Sequence, residues 1–149
     1  MEFKGLRVTV IGLAREGTAL ARFLAEQGAR VTATDIKGED ELREALASLA
    51  DLPIRFVLGG HPLHLLDNTD VLFISPGVPM EVPIVAEARR RGIPISGESR
   101  LFCELCPAPI IGITGSSGKT TTTALTGEML KAAGFRTWVG GNIGRPLIG

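Results

Sequence analysis

The sequence predicts an α/β fold built on a doubly wound parallel sheet, and three observations carry that expectation. Short apolar, β-rich runs alternate with segments whose apolar residues recur at helical spacing. The runs are apolar nearly throughout instead of alternating with polar residues, as in parallel strands covered on both faces. There are 19 glycines in 149 residues and no low-complexity tract, as expected where strands turn tightly into helices.

Taken in order, residues 6–11 read as the first strand and residues 12–17 as a glycine-punctuated turn. A helix over 18–27 follows, with Leu20, Ala21, Phe23 and Leu24 at helical spacing and Gly28 as its stop. Residues 30–34 form a second strand ending in Asp35, and 39–49 an acidic-started amphipathic helix halted before Pro53. Strands over 54–58 and 71–75 flank a short turn at 61–66. A helix over 83–91, a strand over 93–96 and a helix over Glu98–Leu105 complete a first domain spanning residues 1–106.

Pro107 and Pro109 cannot continue a helix and favour a stiff, extended link, so residues 107–109 mark a boundary. Beyond it, residues 110–114 predict a strand, 115–118 a loop, 119–133 a helix and 137–139 another strand. This is one β-loop-α-β unit, the opening of a P-loop ATPase-like domain (residues 110–149), too short to bury a sheet of its own.

Composition limits the function. Sixteen Lys+Arg balance sixteen Asp+Glu, which argues against broad electrostatic capture of nucleic acid or an anionic membrane. No apolar run approaches the roughly 18 residues of a membrane span. Two cysteines make no disulfide framework, so a reducing cytoplasm is the expected compartment.

The strongest chemical signal is the run Gly112-Ile113-Thr114-Gly115-Ser116-Ser117-Gly118-Lys119-Thr120-Thr121-Thr122. A strand running through glycines into a helix that opens with Lys-Thr builds an anion cradle. Loop N–H groups converge, and the helix N-terminus adds about half a positive charge. Gly115 and Gly118 let the backbone wrap phosphate, Lys119 can reach the β/γ-phosphates, and the Thr120 hydroxyl is placed to ligate Mg²⁺. Ile113 stands where the strict pattern has glycine, so the motif is the variant Thr-Gly-x-x-Gly-Lys-Thr-Thr. An ordinary Gly/Ser turn capping a helix is the alternative.

A second glycine turn, Gly12-Leu13-Ala14-Arg15-Glu16-Gly17, follows the first strand, and Asp35 ends the second strand about 20 residues on. Ala14 replaces the glycine through which a pyrophosphate approaches the backbone, so the pattern is consistent with a nucleotide at this helix start or with packing alone. Ligands of such sheets bind beyond the strands' carboxyl ends, where Asp35, Arg15, Glu16 and Ser75-Pro76-Gly77 fall. Cys103 and Cys106 have zinc-knuckle spacing but no second pair. His61 and His64 lack a third ligand, and Arg89-Arg90-Arg91 suits a solvated helix end.

These residues together, with the Leu101-Phe102-Cys103 helix and Gly140-Gly141-Asn142-Ile143-Gly144-Arg145-Pro146, resemble the bacterial Mur ligases. The first half looks closest to the branch that adds D-glutamate to UDP-N-acetylmuramoyl-L-alanine during peptidoglycan synthesis. The resemblance implies a Rossmann-like first domain holding the UDP part of that substrate. Arg15 and Glu16 would contribute backbone contacts, Asp35, Ile36 and Lys37 would face the uracil end, and Gly77 and Asn142 would also touch the substrate. It implies ATP and Mg²⁺ as cofactors, with ATP bound by Gly115, Ser116, Ser117, Gly118, Lys119, Thr120 and Thr121, the metal by Thr120, and Lys119 catalytic. The implied reaction is a two-step ligation. The substrate carboxylate takes the γ-phosphoryl group to give an acyl phosphate, and the D-glutamate amine then displaces phosphate. A monomer acting on small molecules in the cytoplasm, without nucleic acid or membrane, is expected, and the segment alone is expected to be inactive. A nicotinamide-dependent dehydrogenase domain, resting on residues 12–17 and Asp35, and another type of P-loop NTPase are the alternatives.

Overall fold

The structure is a computed structural model that describes residues 2–141 and 146–148. Its centre is a five-stranded sheet, all pairs parallel, in the order β3-β2-β1-β4-β5. The strands are β1 (Arg7–Ile11), β2 (Arg30–Asp35), β3 (Arg55–Leu58), β4 (Val71–Ile74) and β5 (Ile95–Ser96). The helices are α1 (Arg15–Glu26), α2 (Arg43–Ser48), α3 (Pro83–Arg90), α4 (Glu98–Leu105) and α5 (Lys119–Ala132), with a 3₁₀ turn over Leu63–Asn68.

Side-chain alternation along the strands fills two cores, one on each face of the sheet. Val8 and Val10 of β1 and Phe73 of β4 pack with Leu20 and Leu24 of α1 and Leu101 of α4. Ile11, Leu72 and Ile74 face the other way, onto Leu65 and Leu66 of the 3₁₀ turn and Ile84 and Val85 of α3. Two covered faces explain why the strands read as continuous apolar runs.

The chain first winds outward, β1 to β2 to β3, then crosses to β4 and β5 on the other side of β1. Strand order therefore reverses between β1 and β4, opening a crevice at the carboxyl edge where such sheets take ligands.

Several element limits differ from the sequence expectation. α1 begins at Arg15 instead of residue 18, so Gly17 lies inside its first turn. α2 starts four residues later than expected, at Arg43, because Leu42 turns into the core and no side chain caps the helix start. The largest correction lies beyond residue 109. The expected strands at 110–114 and 137–139 are absent: neither segment has a ladder partner among the described residues, and a strand needs one. Only the helix of the predicted β-loop-α-β unit forms there, as α5.

No helix among the described residues is long and apolar enough to cross a membrane.

Candidate functional site at the carboxyl edge of the sheet

The turn after β1 is held by contacts only certain residues permit. Gly12 has φ 87°, a left-handed conformation that favours glycine, and its N–H donates to Thr34 O at 2.8 Å. A Cβ on Gly17 would stand 1.8 Å from the Gly12 carbonyl oxygen and 2.3 Å from Ser75 Oγ. Absence of a side chain at Gly17 thus lets α1 enter directly against the end of β1. Ser75 closes the arrangement by donating its hydroxyl to Gly12 O at 2.7 Å.

Asp35, only 7% exposed, joins this turn to the end of β2. One carboxylate oxygen accepts the Leu13 N–H at 2.7 Å, and the other accepts the Lys37 N–H at 2.9 Å. Both flanking loops are therefore oriented by a single acid, which sequence reasoning had assigned to ligand contact. Ile36 beside it is 70% exposed, an isolated apolar side chain at the lip of the crevice.

Behind Asp35, Thr34 Oγ1 donates to Gly60 O at 2.8 Å and lies 3.1 Å from His61 Nδ1. His61, in the turn expected at 61–66, is half-buried against β2. Burial lowers its pKa below the usual imidazole value, and the Asp35 charge opposes that shift.

Arg15 pairs with Glu16 at 2.8 Å, and this hydrogen bond holds the Glu16 carboxyl below its ordinary value. Arg15, Glu16, Asp35, Ile36, Lys37 and Gly77 thus all come to one edge, as expected from the sequence. Gly77 is exposed, with nothing within 4 Å of where a Cβ would stand. Asn142 lies outside the described residues. Next to the crevice, at the ends of β4 and β5, a cavity of about 320 Å³ is lined by Ser75, Pro76, Val78, Met80, Ser96 and Arg100, among others.

The second predicted site is local to the start of α5. Gly118 is its N-cap with φ 75°, and a Cβ on Gly115 would make only ordinary contact with Ser117 O at 3.5 Å, so the loop curls back without crowding its backbone. The Lys119 ammonium lies over this curl and donates to Gly115 O. Gly115, Ser116, Ser117, Gly118, Lys119, Thr120 and Thr121 are all exposed. A left-handed glycine, a helix start and a lysine folded back onto the loop thus lie together at this point of the chain. Among the described residues, no three His, Cys, Asp or Glu side chains form a group that could hold a metal.

The family profile described as the Mur ligase MurD-like N-terminal domain matches residues 6–97, the stretch that carries the sheet and the crevice. The chain belongs to this family. It is 50% identical over 148 residues to a UDP-N-acetylmuramoylalanine–D-glutamate ligase of Trichlorobacter lovleyi and 51% identical to the protein so named in Geobacter metallireducens. Each alignment covers 99% of this chain and 33% of the relative, so the chain spans about a third of the length of the curated relatives it matches. Among solved structures it is similar to a UDP-N-acetylmuramate:L-alanyl-γ-D-glutamyl-meso-diaminopimelate ligase of Neisseria meningitides, with TM-score 0.58 and 25% identity. That match covers 95% of this chain and 46% of the other. Within the MurD-like family, then, the Asp35 latch sits in the domain that gives the family its profile.

Proposed function

We propose that this chain is the substrate- and nucleotide-binding part of a cytoplasmic ligase that joins D-glutamate to UDP-N-acetylmuramoyl-L-alanine. The observation that carries the proposal is the Leu13–Asp35–Lys37 latch at the sheet's reversal point, in a chain half identical to ligases named for that reaction.

The main chain at Arg15 and Glu16, at the start of α1, would face the pyrophosphate, where the positive end of the helix dipole favours an anion. Asp35, Ile36 and Lys37 would take the uracil end, with Ile36 supplying an apolar face and the fixed Asp35 carboxylate an acceptor beside it. Gly77 would admit the chain of the sugar nucleotide without a side chain in its path. Asn142 joins them on sequence position only.

In the second unit, residues 110–149, the P-loop of a central ATP domain, Gly115 through Thr121 would hold the triphosphate, and the Thr120 hydroxyl would ligate Mg²⁺. ATP with Mg²⁺ supplies the phosphoryl group that turns the substrate carboxylate into an electrophile. Lys119 would neutralise charge gathering on the transferred phosphoryl oxygens, from an ammonium that here rests on Gly115 O of the same loop.

Isothermal titration of the chain with UDP tests the reading, and NADH serves as the competing ligand. Saturable UDP binding with no response to NADH is expected. Heat and fluorescence enhancement with NADH, and none with millimolar UDP, would assign the crevice to a dehydrogenase domain instead.

A further inference from the structure

Glu98 is an acid on an apolar helix stripe. It opens α4, shares its face with Leu101 and Leu105, and is 3% exposed. Its Oε1 accepts two consecutive backbone donors, Leu147 N–H at 2.5 Å and Ile148 N–H at 3.0 Å. The Ile148 side chain, 5% exposed, joins the core cluster that contains Leu101. After the mostly exposed stretch from 107 to 141, the chain therefore returns to the first domain and is fastened there by one carboxylate.

That fastening continues into the P-loop unit. Leu147 Cδ2 is 4.0 Å from where a Cβ on Gly141 would stand, and Val139 Cγ2 occupies the space a Cβ on Gly127 of α5 would need, at 2.4 Å. Val139 thus packs on α5, and the backbone carries on to Gly141, which lies near Leu147, whose amide reaches Glu98. Gly97, which precedes Glu98, and Arg100, two residues on, both line the cavity beside the crevice.

We propose that Glu98 is a positioning residue that fixes the Lys119 loop and α5 relative to the carboxyl edge of the sheet. Two amide donors on one buried anionic oxygen make a charge-assisted contact stronger than a neutral one, and the acid at the start of α4 is further favoured by the helix dipole. The proposal deepens the functional reading above, and rests on it only for what the fixed loop does. Substrate carboxylate and phosphoryl donor bind on different units, and transfer between them needs those units held in register.

The test uses the 149-residue chain itself, by NMR amide exchange and residual dipolar couplings, in the wild type, Glu98→Ala and Glu98→Gln. In Glu98→Ala, the Leu147 and Ile148 amides are expected to exchange at least about 10-fold faster while amides of β1, β2 and β4 stay within about two-fold. Couplings from α5 and the sheet fit one alignment tensor in the wild type and require two in Glu98→Ala. Glu98→Gln, which keeps a carbonyl acceptor, retains the single tensor. Unchanged exchange in Glu98→Ala, a uniform rise across the sheet, a single tensor throughout, or Glu98→Gln behaving as Glu98→Ala would each overturn the proposal. UDP titration of the same samples separates the two ideas, since loss of UDP binding in the wild type sinks the functional reading and leaves the exchange result standing.

Discussion

Leu13 and Asp35, 22 residues apart, meet at 2.7 Å, backbone N–H to carboxylate, and this one bond orients the turn between β1 and α1. With Lys37 N–H on the other oxygen, the acid ties the two loops together at one edge. Asp35→Ala leaves the Leu13 amide without its buried acceptor. It is expected to cost about 1–3 kcal/mol in urea unfolding. Asp35→Asn, which keeps one acceptor oxygen, should cost less. Equal unfolding curves for all three proteins would contradict the latch.

Gly17→Ala places a methyl group 1.8 Å from the Gly12 carbonyl oxygen, a backbone atom held by the sheet. A loss of at least about 2 kcal/mol is expected, the range of overpacking a tight contact. Gly38→Ala is the control: nothing lies within 4 Å of the added carbon, and stability should stay within about 0.5 kcal/mol of the wild type.

Acid sensitivity follows from the carboxylates that arginines hold down. The Arg7 side chain, then the Arg7 backbone N–H, bring Asp70 to a pKa of about 2. Arg90 and then Arg91 bring Glu87 to about 2. Both folded values lie below the ordinary ones of 3.8 and 4.5, so each contribution is present in full above pH 4.5 and fades as pH falls toward 2. Chemical denaturation from pH 5 to pH 2 should show stability declining with acid, and Asp70→Asn should flatten that decline. An unchanged slope in Asp70→Asn would exclude the Arg7 pair as a cause.

His61 titrates in the same direction through a different cause, burial against Thr34 opposed by the Asp35 charge. Its imidazole resonances should show a midpoint below 6.5, and stability should fall as pH drops through that midpoint. A midpoint at or above 6.5 would mean the Asp35 charge outweighs burial.

The layers of this fold were legible in the sequence because both faces of the sheet are covered, so apolar runs such as residues 7–11 and 71–74 declare their strands directly. α4 was read with its observed limits, since Gly97 precedes it and Pro107 follows it closely. Gly17 was misread as turn because its glycine serves close packing inside a helix, and spacing alone does not separate those roles. The strands expected at 110–114 and 137–139 were read from composition, which reports the wish to pair and not the presence of a partner. Asp35 and the two glycine loops were singled out from spacing. The latching role of Asp35 and the reach of Glu98 to Leu147 were not, because a buried acid's partners lie 22 and 49 residues away. An acid on the Leu101–Leu105 stripe was the available signal for Glu98.

Lys119 opens α5, outside the proposed UDP contacts at the sheet edge, so Lys119→Ala is expected to leave UDP affinity within about two-fold. Any weak binding of Mg-ATP by the chain should disappear. Loss of UDP binding in Lys119→Ala would show that the two sites are not separable.

The most direct measurement is a map of backbone amide shifts as UDP is added to the chain. Saturating shifts concentrated at Leu13 through Gly17, Asp35 through Lys37 and Ser75 through Gly77, and weakened in Asp35→Ala, are the predicted result. Shifts absent from that edge at millimolar UDP, or centred elsewhere on the sheet, would contradict the account.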